Sequence, residues 1–131
     1  MKVGVVTKLF SSLVALEFLY IFYLETLMTT QETTSRVFNI PVEVLQTDTV
    51  SLLFQNQGVY NLMIALLLIY TLMFSHNKFE LLLLMMVYIL VVALYGGISS
   101  DMSIFVKQGS LPLLTILSLV YDCWKMRKEQ G

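Results

Sequence analysis

Residues 47–74 read TDTVSLLFQNQGVYNLMIALLLIYTLMF. The stretch is long enough to cross a hydrocarbon layer of roughly 30 Å, which takes about 20 helical residues. Its middle nevertheless carries Gln55, Asn56, Gln57 and Asn61 around Gly58. Lipid offers an amide no partner, and an unmet polar group costs a few kcal/mol in hydrocarbon. The segment is therefore expected to be a membrane helix that turns its amides toward protein.

Three further apolar stretches flank it, at about residues 5–28, 79–99 and 103–124. With 57% hydrophobic and 13% charged residues in 131, the chain has more apolar surface than a soluble core of that length can hide. The four stretches use almost the whole sequence, so a single membrane domain is expected and no soluble domain fits beside it. The fold class is all-α, a transmembrane four-helix bundle in up-down order with short connections. Turns are expected around His76-Asn77-Lys78 and Ser100-Asp101-Met102. The longest connection, about 29–46, reads as a loop in which Pro41 interrupts any helix. Its Phe38 and Ile40 are apolar enough to dip back to the mouth of the bundle.

Lys2, Lys8, Lys78, Lys125, Arg127 and Lys128 fall at the termini and the second connection, whereas Arg36 and Lys107 fall on the other side. By the positive-inside rule both termini are cytoplasmic. Tyr121 and Trp124 beside the basic tail read as an interfacial belt. A net charge of -1 argues against a nucleic-acid partner. The first apolar stretch outruns a signal peptide and is expected to stay in the mature protein. The single cysteine, Cys123, has no partner for an internal disulfide. No metal or cofactor is expected: the sequence holds no HExxH, no Cys or His cluster and no glycine-rich phosphate loop, and His76 belongs to a solvated turn.

At 100° per residue Glu17 and Glu25 lie within about a quarter turn of each other, separated by about 12 Å of rise. A carboxylate at mid-membrane costs at least about 2.5–3.5 kcal/mol on insertion scales. Glu17 is accordingly expected to face the interior, either as a protonated carboxyl or bonded to the amides of Asn56, Gln57 or Asn61. In the second helix Asn56 and Tyr60 share one face and Gln57 and Asn61 an adjacent one. The third brings up Tyr95, and its Ala93–Gly97 and Gly96–Ser100 spacings permit close packing against a neighbour or a second copy. The fourth opens with Gln108, Gly109 and Pro112, where proline removes a backbone hydrogen bond. Asp122, in step with Thr115 and Gln108, extends the polar stripe inward or is simply hydrated. The expected site is a polar pocket in the outer half of the bundle, with Glu17 at its floor and Glu25, Asn56, Gln57, Tyr60, Asn61, Tyr95 and Gln108 as ligand-binding residues.

The order Glu17, Leu19-Tyr20-Ile21-Phe22-Tyr23-Leu24-Glu25, Arg36-Val37-Phe38, Asn56-Gln57-Gly58-Val59-Tyr60-Asn61, Tyr95-Gly96 and Gln108-Gly109 with Pro112 resembles domain-of-unknown-function family 1304, small bacterial membrane proteins. The resemblance covers nearly the whole chain and implies a bacterial cell-membrane location. That family commonly has a histidine after the first glutamate. Phe18 stands there in this chain, so a Glu-His proton relay is not available to it.

Three functions fit these residues. Buried amides and carboxyls can fix helix register at roughly 0.6 kcal/mol each. They can line a site that binds or carries a small polar solute, an ion or a proton, with a homodimer supplying a second gate. They can also serve an enzyme acting on a lipid or lipophilic substrate, with Glu17 or Glu25 as acid or base and Tyr60 or Tyr95 as proton donor. The number of polar groups exceeds what register needs, and this favours the binding site.

Overall fold

The computed structural model describes residues 2–131. Each apolar stretch closes its own backbone hydrogen bonds as a helix, as hydrocarbon requires. In chain order the helices are α1 (Val5–Phe22), extended by a π turn (Tyr23–Leu27), α2 (Glu32–Phe38), α3 (Val42–Leu45), α4 (Asp48–Met73), α5 (Lys78–Ser99) and α6 (Met102–Gln130). The fold is all-α among the described residues. Four helices are long and apolar enough to cross a membrane: α1 with its π turn, α4, α5 and α6.

Two departures from the sequence reading have local causes. The connection at 29–46 is not a plain loop, because α2 and α3 form within it. Glu32 stands in the first turn of α2 and Arg36 in its last, both favourable to the helix dipole. Asn39, with φ 54°, closes α2 in the left-handed conformation that asparagine tolerates. Pro41 then separates α2 from α3. The second departure is the length of α6, which runs on to Gln130 with Arg127 and Lys128 in its last turn, where cations suit the dipole.

The chain divides into two compact units, and α1 and α4 each run from one into the other. One unit, Leu16–Leu66, holds the end of α1, the π turn, α2, α3 and the first part of α4. Thr34 and Leu45 are fully buried in it. Phe38 packs edge-on against Phe54 of α4, with ring centroids 5.3 Å apart, so this residue does dip back as its apolar character suggests.

The other unit combines the chain up to Ala15 with Leu67–Gly131. Here α5 and α6 form an antiparallel hairpin. A Cβ on Gly97 would sit 2.8 Å from Phe105 Cβ, and one on Gly109 would sit 3.5 Å from Leu90 Cδ1. Ala93 and Gly97 are buried, and Gly97 packs against α6 of the same chain. Asp101 caps α6 by accepting a 2.9 Å bond from the Ser103 amide. That bond holds its carboxyl below the usual aspartate value.

Asp122 links the two ends of the chain within this unit. Its Oδ2 accepts the Gly4 amide at 2.8 Å and the Thr7 hydroxyl at 2.7 Å. Thr7 Oγ1 also lies 2.9 Å from Ser118 Oγ, and Thr7 is fully buried. An acid from α6 therefore caps the N-terminus of α1, where backbone donors and the dipole favour it. Asp122→Ala and Thr7→Val should each lower stability by about 1–3 kcal/mol through groups left unmet. The double variant should lose clearly less than the sum. Unfolding of the four proteins in detergent measures this, and strict additivity would show that the latch is not formed.

Candidate functional site

The polar residues of the Leu16–Leu66 unit meet at the π turn that ends α1. There the Met28 amide donates to the Tyr23 carbonyl at 3.0 Å, five residues back. Such turns disturb the regular ladder and often mark functional positions. Three threonines answer the carbonyls and backbone around it. Thr29 donates to the Glu25 carbonyl at 2.6 Å, and Thr34 to the Met28 and Leu24 carbonyls at 2.6 and 3.2 Å. Thr26 donates across to the Gln55 carbonyl of α4 at 3.0 Å.

Against this turn α4 presents Gly58 and Asn61. Asn61 Nδ2 donates to Glu25 Oε2 at 2.7 Å, and both residues are buried. A Cβ on Gly58 would stand 3.0 Å from Glu25 Cβ and 3.1 Å from the Thr26 nitrogen, closer still to the Thr26 hydroxyl. Gly58 thus lets the backbones approach until the Asn61 amide can reach Glu25. Residues 55, 58 and 61 are three apart and keep to one helix face, which explains why the Gln55 carbonyl, Gly58 and Asn61 act together.

The remaining amide side chains do not meet there. Asn56, Gln57 and Tyr60 are exposed, Tyr60 to 70%. Gln55 turns its side chain outward, 3.4 Å from the Ser51 hydroxyl. The expectation that four amides point inward is corrected to one, because a run of seven helical residues covers nearly two turns and must present most of them elsewhere. Tyr95 and Gln108 belong to the other unit, Tyr95 being 72% exposed and Gln108 half-buried.

Glu17 is half-buried in α1, and the amide expected near it is bonded to Glu25 instead. Its Oε2 is buried and has no hydrogen-bond partner among the described residues. The π turn also breaks the 100° rule by which the two glutamates were aligned. Sequence reasoning missed Thr26, Thr29 and Thr34, since threonine is ordinary in such helices. Gly58, enclosed by amides, was the available signal for a close approach.

These features describe a small α-helical protein with four helices able to span a membrane, whose first and second spans are joined by a buried Glu–Asn bond. The family profile for a protein of unknown function (DUF1304) matches residues 12–120, and the chain belongs to that family. It is 48% identical over 114 residues to uncharacterized protein YpaA of Lactococcus lactis subsp. lactis (strain IL1403), covering 87% of this chain and 96% of that protein. No solved structure matches. The matched region contains Glu17, Glu25, Gly58 and Asn61 but stops short of Gly4, Thr7 and Asp122.

The packing makes Gly58→Ala costly. Even with the Thr26 hydroxyl rotated away, the new methyl presses on Glu25 and on backbone, and overpacking of this kind costs about 1–3 kcal/mol. Unfolding in detergent should show that loss, and Thr26→Ala in the same chain should restore part of it. A Gly58→Ala protein as stable as wild type would contradict the close approach.

Proposed function

We propose that this protein binds or carries a small polar solute, an ion or a proton within the membrane, with Glu17 and Glu25 as its acceptors. The observation that carries the reading is the buried Glu17 oxygen without a hydrogen-bond partner among the described residues, near the middle of the first span. An acceptor at that depth needs a donor, since hydrocarbon supplies none. A proton, a cation or a solute N–H or O–H would meet the need. Glu25 is the second acceptor, oriented by Asn61. The distribution of lysine and arginine supports cytoplasmic termini, which would place the π turn toward the outer face.

A second reading is favoured by the contacts of Gln55, Gly58 and Asn61 with the π turn: the polar groups act as a clamp and nothing binds. Native mass spectrometry of the full chain released from mild detergent separates the two. A co-purifying species should be present in wild type, absent from Glu17→Gln and retained in Asn56→Ala, whose side chain lies on the exposed face. Identical spectra without bound mass in all three would support the clamp.

A further inference from the structure

The C-terminal end of α6 carries a feature independent of the Glu17–Glu25 reading. Twenty-nine residues make α6 about 44 Å long, well beyond a hydrocarbon layer of about 30 Å. The excess lies at the C-terminal end, because the other end is fixed by the tight turn at Asp101. Phe79, at the start of α5, lines a groove with Cys123 and Trp124. Residues from Lys125 onward therefore overshoot α5 by about 9 Å, comparable to the depth of a headgroup layer.

Two grooves adjoin at this level. One, of about 630 Å³, is lined by Lys2, Cys123, Met126, Arg127, Glu129 and Gln130. Its volume is in the range of small-molecule sites, about 300–1,000 Å³. The other, of about 270 Å³, is lined chiefly by Phe79, Leu83, Leu119, Val120 and Trp124. Cys123 and Arg127 line both. The first holds two cations against one carboxylate, and the second is almost wholly apolar. Their junction matches the junction of headgroup and acyl chain in a lipid.

We propose that this pair of grooves is a binding site for an anionic glycerophospholipid. Arg127 supplies a planar fork of N–H donors for the phosphate, and Lys2 a second positive charge from the opposite end of the chain. Gln130 and Glu129 offer acceptors to a hydroxylated headgroup such as glycerol. One acyl chain follows Leu83, Leu119 and Val120 past the Trp124 ring, over which Lys128 Nζ stands at 4.1 Å. Positive charge exceeds negative in the lining, and Lys128 stands over Trp124 at its edge, so an anionic headgroup is favoured over a zwitterionic one.

Trp124 is the only tryptophan and so reports the apolar groove directly. The full chain is placed in phosphatidylcholine nanodiscs containing a small fraction of brominated lipid, either phosphatidylglycerol or phosphatidylcholine. Brominated phosphatidylglycerol should quench Trp124 at least twofold more than brominated phosphatidylcholine at equal fraction. Lys2→Gln with Arg127→Gln should bring the two to parity; both side chains are exposed, so folding is preserved and is checked by circular dichroism. Lys125→Gln, outside the groove, should keep the preference. Equal quenching in wild type, a preference that survives the double substitution, or one lost equally in Lys125→Gln would overturn the site. Loss of the preference on adding inorganic phosphate, but not chloride at the same ionic strength, would assign the groove to a free phosphate ion and overturn the lipid assignment.

Discussion

A hydrogen bond between Glu25 and Asn61, drawn to 2.7 Å by a glycine one turn away, organises the Leu16–Leu66 unit of this small α-helical protein. Hydrocarbon supplies neither donors nor acceptors, so a carboxyl in the first span and an amide in the second must answer each other or burden the fold. Gly58 makes the answer possible by removing the side chain that would hold α4 away. The π turn completes it, with Thr29 and Thr34 taking carbonyls in and around the turn. Local irregularity and long-range bond belong to one arrangement.

The same constraint acts at the other end of α1 with different residues. Gly4 brings its backbone amide to Asp122, Thr7 adds a hydroxyl, and the end of the chain is tied to its beginning. Each junction joins a helix terminus to a polar side chain from another helix, and each uses a glycine for close approach. Glu17 departs from this pattern. With one oxygen buried and without a protein partner among the described residues, it is the group that a purely structural account leaves unexplained.

Length and hydropathy made the four candidate spans legible in the sequence to within about a residue at every end except the C-terminal end of α6, since a helix in lipid must be long, apolar and internally bonded. The α5 packing face was legible from Ala93 and Gly97, where small side chains four apart leave little alternative. The site was legible in part. Glu25, Asn61 and Gly58 could be picked out by type, but their pairing could not, because the π turn shifts Glu25 in a way no 3.6-residue period reveals. Asn56, Gln57 and Tyr60 were read as interior on chemistry alone, and helix geometry places them outward. The helices within 29–46 and the role of Asp122 depended on tertiary contacts that composition does not encode.

The most direct test of this account is a double-mutant cycle on Glu25→Ala and Asn61→Ala, with unfolding free energies measured in detergent or bicelles. A coupling energy of about 1–2 kcal/mol, at the upper end for polar pairs in membrane helices, is predicted. Single effects that add with no coupling would mean that the bond between the first and second spans does not hold the structure together.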